Sequence, residues 1–224
     1  MKKISSNELL NHFFGAVDLL RSSCMLKQQA FYLLSLLCLK VINDNKDVPY
    51  IIPEASKWDK LRISGDIGRE IDNALASLEK ENKDLKDVFT LFSFKELENK
   101  MLYKLLQYFE RYSLDRNRHM DLAPATGTLA TASEALLFSF SRELWAGFFG
   151  PREIGKLLTK LLKKEPFSRE SIYDPCAGTG NFLVEAAKHS INPGDVELEG
   201  QEINKEISSI CIMNFILHGI YQGR

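Results

Sequence analysis

The chain has 224 residues, of which 45% are hydrophobic and 26% charged, with a formal net charge of −1. These proportions suit a globular protein with a real core, in one large domain or two small ones. The balanced charge excludes a globally basic nucleic-acid binder, so any DNA contact has to come from a local patch or from partner subunits. The four cysteines, Cys24, Cys38, Cys176 and Cys211, are far apart and lack metal-ligand spacing; they are expected to be buried thiols in a reducing compartment. The opening MKKISSNELL turns polar too early for a signal peptide, and the longest apolar run, residues 30–42, is too short to span a bilayer. A soluble, cytoplasmic protein with no membrane partner is expected.

Ser5 and Glu8 have capping-box spacing, and Leu9, Leu10, Phe13, Phe14, Val17 and Leu20 follow at helical intervals, which predicts a first amphipathic helix. A more buried helix is expected over about residues 28–42, before Pro49 and Pro53 interrupt the pattern. Apolar stripes at Ile67, Ile71, Ala74, Leu75 and Leu78, and at Leu97, Met101, Leu105, Tyr108 and Phe109, predict two further helices. The first 112 residues therefore read as almost wholly helical. Residues 113–131 lose this periodicity and gather Pro124 and Gly127, as connections between domains do. The expected division is a helical domain at 1–115, a linker at 116–131 and a second domain at 132–224. Thr131 and Glu134 restart a helix by capping-box spacing. Pro151, favourable at a first helical position, opens another with Ile154, Leu157, Leu158 and Leu161 on one side.

The stretch SIYDPCAGTGNFLVEAA, residues 171–187, reads as strand, glycine turn and helix, the opening unit of a doubly wound α/β fold whose ligands sit at the strands' carboxyl ends. Gly178 and Gly180 allow a sharp turn close to a ligand. A phosphate-binding loop needs Lys followed by Ser or Thr where this chain has Asn181-Phe182, so the ATP reading fails. A dinucleotide fingerprint needs a third glycine where Leu183 stands, which leaves an NAD reading open on weak support. Asp174, ending the strand, suits an ammonium better than a pyrophosphate. A second strand is expected over residues 196–202. It ends in Glu202, at a spacing from the turn that suits ribose hydroxyls. An ammonium at Asp174 with a ribose at Glu202 describes S-adenosylmethionine. The bland alternative for Glu202 is a solvated carboxylate, and His218 beside Gly219 reads as a helix C-terminal residue.

GFFGPREIGKLL, YDPCAGTGNFL, EGQEIN and MNFILHGI, in that order, resemble the modification subunits of type I restriction-modification enzymes, and GDIGREIDNALASLEKENKDLKDVF resembles the helical amino-terminal domain of the same family. The resemblance implies a mostly α chain: a helical domain followed by the start of a Rossmann-like, doubly wound methyltransferase domain, truncated. It implies adenine-N6 methylation of DNA with S-adenosylmethionine, in a complex with a specificity subunit and a restriction subunit. Phe149, Gly150, Pro151 and Arg152 correspond to the stretch contacting the methionine end of the cofactor. Asp174, Gly178, Thr179, Gly180, Asn181 and Phe182 match the glycine motif, and Glu202 matches the ribose-binding acid. Two departures are that the family usually has Thr at Gly150, and Ala-Cys where this chain has Cys176-Ala177.

The family grips the flipped adenine with an Asn-Pro-Pro-aromatic motif, and in this chain no two prolines are adjacent. The expectation is a chain without catalytic or metal-binding residues of its own, inactive in isolation and inclined to self-associate through a severed sheet edge. The alternative is a non-catalytic truncated paralogue serving as a helical assembly or cofactor-binding module.

Overall fold

The structure is a computed structural model describing residues 4–62, 65–115, 127–144, 150, 152–162, 165–167, 170–191 and 196–221. The chain forms two compact units, residues 1–120 and 121–224.

The first unit is helical. Helix α1, Ser6–Leu20, starts at the expected capping box: Ser5 Oγ accepts from the Glu8 amide at 3.2 Å, and Glu8 Oε2 accepts from the Ser5 amide at 2.8 Å. Helix α2, Leu26–Asp44, is buried on every side from Gln29 to Ile42, the burial that an all-round apolar helix demands. Lys40 is tolerated there because it pairs with Asp44, four residues on, beneath the Trp58 ring. Asp44 also accepts from the Leu114 amide at 2.7 Å, and Asn45 donates to the Leu114 carbonyl at 3.0 Å. Helix α3, Ile67–Glu81, buries Ile71, Ala74, Leu75 and Leu78, and helix α4, Asn99–Phe109, buries Leu102, Leu105, Leu106 and Phe109. Two carboxylates of α3 hold the irregular segment that follows it: Asp72 accepts from the Phe94 amide at 2.8 Å, and Glu79 accepts from the Phe89 amide at 2.6 Å.

The second unit opens with helix α5, Thr128–Leu144, and helix α6, Arg152–Leu162. Helix α5 begins ahead of the expected cap at Thr131, whose amide already donates to the Gly127 carbonyl at 2.9 Å. Burial of Leu129, Ala130 and Ala132 extends the helix, so packing decides the start and the threonine does not. Residues 116–126 of the expected linker lie outside the described residues.

Strand β1, Ser171–Asp174, helix α7, Asn181–Lys188, and strand β2, Glu197–Gly200, then form one parallel crossover unit. The register pairs Ser171 with Glu197 and Asp174 with Gly200, so both strands end at one level. Helix α8, Lys205–His218, follows, with Asn204 as its cap and His218 as its last residue. Leu183, Val184, Ala187, Leu198, Cys211 and Phe215 belong to the core beneath the turn. The architecture is the expected one, a mostly helical chain that enters a doubly wound α/β fold. Two cysteines depart from expectation: Cys24 is half-buried and Cys176 exposed, the latter because it lies in the turn after β1. Among the described residues no helix is long and apolar enough to cross a membrane.

Candidate cofactor site

The site grows from the exit of β1. Asp174 Oδ1 accepts from the Cys176 amide at 2.9 Å, a side-chain turn that bends the chain as it leaves the strand. Gly180, with φ of 80°, occupies the left-handed region and caps α7. A Cβ there would lie 2.6 Å from Cys211 Sγ and 2.9 Å from Phe215, so conformation and space both require glycine. The turn is tied to the exit of β2, with the Ala177 amide donating to the Gln201 carbonyl at 2.8 Å and the Gln201 amide to the Asp174 carbonyl at 2.9 Å.

These bonds bring the two predicted acids together. Burial pushes the Cys211 thiol up to about 12, and the carboxylates of Asp174 and Glu202 add to the effect, so both act on a single sulfur beneath the turn. Glu202 Oε1 accepts from the Asn204 amide at 2.8 Å, which fixes the acid just beyond the end of β2. Beside it Ile203 is fully exposed, an apolar surface at the rim that the sequence reading did not single out.

Helix α7 also joins the turn to the segment before α6. Asn181 Nδ2 donates to the Gly150 carbonyl at 3.2 Å, and the Phe182 ring covers Gly150 so closely that a Cβ there would lie 2.4 Å from it. In this chain the Phe182 ring occupies the space that a side chain at Gly150 would need. Arg152 faces two carboxylates, its Nε lying 3.3 Å from Glu134 Oε1 and 3.5 Å from Glu185 Oε1. Lys188 Nζ completes the cluster at 2.8 Å from Glu134 and 2.7 Å from Glu185. Burial opposes ionisation of Glu134, but Lys188 and Arg152 outweigh it and hold the carboxyl below the usual carboxylate range.

The structure therefore gathers Asp174, Gly178, Thr179, Gly180, Asn181, Phe182 and Glu202 around one turn and attaches Gly150 and Arg152 to its helix. Phe149 and Pro151 lie outside the described residues. Asn214, Glu134 and Lys188 were missed by the sequence reading. A polar residue inside the apolar run MNFILHGI and the i,i+3 pair Glu185–Lys188 were the available signals. Asn214 donates to the Thr179 carbonyl at 2.9 Å from within α8.

A helical unit followed by a parallel β-α-β crossover, with acids at both strand exits, is the opening unit of a doubly wound α/β fold that takes its ligand at the strands' carboxyl ends. Residues 125–223 match the family model N-6 DNA Methylase and residues 45–109 match the HsdM N-terminal domain. Among curated proteins, the type I restriction enzyme StySJI methylase subunit of Salmonella typhimurium is 29% identical over 239 residues, covering 97% of this chain and 44% of the relative. The EcoKI methylase subunit of Escherichia coli is 28% identical with the same coverage, 97% and 44%. The type I methyltransferase subunit of Streptococcus thermophilus has a like fold, with a TM-score of 0.71 at 18% identity over 96% of this chain and 57% of that one. A modification subunit of a putative type I restriction enzyme from Vibrio vulnificus aligns with a TM-score of 0.65 at 15% identity, over 100% of this chain and 56% of its own. Over nearly its whole length the chain is similar to type I restriction enzyme methylase subunits, and two domain models of that kind match successive parts of it. It spans less than half the length of these curated relatives, 44%.

Proposed function

We propose that the chain provides the helical domain and the cofactor half-site of an adenine-N6 DNA methyltransferase of a type I restriction-modification system, with S-adenosylmethionine as cofactor. The observation that carries this is the pair of strand-exit carboxylates, Asp174 and Glu202, stitched to one glycine turn over Cys211. The donor chemistry fits the group. Asp174 is a carboxylate suited to an ammonium, Glu202 accepts from ribose hydroxyls, and Ile203 offers apolar surface to the adenine ring. The glycines leave the turn open to close approach, and Gly150 and Arg152, joined to α7, serve the methionine end. When bound, S-adenosylmethionine supplies the electrophilic methyl group.

Adenine capture needs the Asn-Pro-Pro-aromatic motif, which these 224 residues lack, so the polypeptide alone binds cofactor without transferring methyl groups to DNA. DNA, a specificity subunit and a restriction subunit are its partners in a cytoplasmic complex, and a second copy is its partner in isolation. Calorimetric titration with S-adenosylmethionine tests the reading. Saturable binding by the wild-type chain, lost in both Asp174→Ala and Glu202→Ala, supports it; no binding by a folded chain removes it. Methyl incorporation into DNA by the purified 224-residue chain would overturn the inactivity.

A further inference from the structure

Asn214 is 1% exposed on α8, among Met213, Phe215, Ile216 and Leu217, all buried. Its Nδ2 donates to two acceptors of the turn, the Thr179 carbonyl at 2.9 Å and Asn181 Oδ1 at 3.2 Å. Asn181 in turn donates from Nδ2 to the Gly150 carbonyl at 3.2 Å. The direction of this relay is fixed by its ends. Both carbonyls only accept, so Asn214 must present its amide hydrogens to Thr179, and Asn181 must present oxygen to Asn214 and hydrogens to Gly150. Reversing either side chain sets oxygen against oxygen. Asn214 Oδ1 meanwhile is buried with no hydrogen-bond partner among the described residues. Packing alone favours an apolar residue over a half-satisfied amide at such a place, so the two donated bonds account for asparagine.

We infer that Asn214 is a positioning residue of the cofactor site: by orienting the Asn181 carboxamide it fastens the glycine turn to the segment at Gly150, so that two distant stretches form one receptor for the amino-acid end of the cofactor. The inference deepens the proposed cofactor reading and rests on it. Asn214 acts through Asn181 and the Thr179 carbonyl, and its loss is felt at one end of the ligand.

The 224-residue chain is titrated with S-adenosylmethionine and with 5′-methylthioadenosine, which keeps the adenosine and lacks the amino-acid group. Wild type, Asn214→Leu, Asn181→Leu and the double variant are compared. Each single substitution is expected to weaken S-adenosylmethionine about tenfold, and the double variant no further, because both break one relay. Affinity for 5′-methylthioadenosine is expected to stay unchanged. A hundredfold loss in the double variant, an equal loss for both ligands, or an unaffected Asn214→Leu overturns the inference. If Asn214→Leu does not fold, Asn214→Ala takes its place under the same criteria. Failure of the wild type to bind S-adenosylmethionine sinks the cofactor reading instead. The relay is then decided by proton exchange at the Asn181 side-chain amide, expected to be slowed in the wild type and released in the Asn214 variant; equal exchange in the two overturns it.

Discussion

His12 is a histidine held neutral by its neighbours. It is buried on α1, stacked on Tyr108 at 4.2 Å between ring centroids and edge-on to Tyr112 at 4.5 Å. Burial, then the Arg111 guanidinium, lower its pKa from 6.5 to about 4. The unfolded chain therefore takes up a proton between pH 6.5 and 4 that the folded chain refuses. Stability from this group is complete above pH 6.5 and declines as pH falls toward 4, by about 3 kcal/mol in all. Urea denaturation across that window is expected to give a shallower decline for His12→Phe than for wild type. Parallel curves would show that the histidine does not contribute. At Gly180, Gly180→Ala combines a positive φ with a Cβ 2.6 Å from Cys211 Sγ, and a loss of about 1–3 kcal/mol is expected in the same assay.

At the scale of elements, the helices and strands that were legible are those with local causes. The capping box of α1, the apolar stripe of α3 and the strand-turn-helix at β1 and α7 each lie within one stretch of sequence, and each forms where expected. The start of α5 was not legible, because contacts of Leu129, Ala130 and Ala132 decide it while Thr131 offers only a local cap. The acids of the candidate site were visible through their spacing. Their mutual approach follows from the register that ends both strands together, which spacing alone does not show. The ion cluster joining α5, α6 and α7 was equally hidden, since Glu134 and Lys188 are 54 residues apart. Lys188→Met leaves the buried Glu185 and the partly buried Glu134 without their closest cation and is expected to destabilise the second unit by about 3 kcal/mol at neutral pH. The cost should shrink in acid as Glu134 protonates; chemical denaturation at pH 7 and pH 4 reads the difference, and an equal penalty at both would exclude the ionic explanation.

For the whole molecule, the consequential feature is apolar surface without cover. Helix α6 rests its small residues Gly155 and Thr159 against α7, while Ile154, Leu157, Leu158, Leu161 and Leu162 remain exposed, the last two at 72% and 74%. In the same unit, β1 pairs with β2 alone among the described residues and exposes Tyr173. A leucine stripe of this length exceeds the scattered apolar exposure normal for a monomer, and an unpaired strand edge accepts another strand. The same stripe turns inward if two copies meet on α6, since spacings of three and four residues are those of helix-helix seams. Sedimentation of the 224-residue chain is therefore expected to show a concentration-dependent dimer at tens of micromolar. Leu157→Glu with Leu161→Glu should return it to monomer without loss of helical content, because neither side chain supports the fold beneath. A wild-type chain that stays monomeric throughout that range would mean that the leucine face is tolerated in water, and the proposed self-association would fall with it.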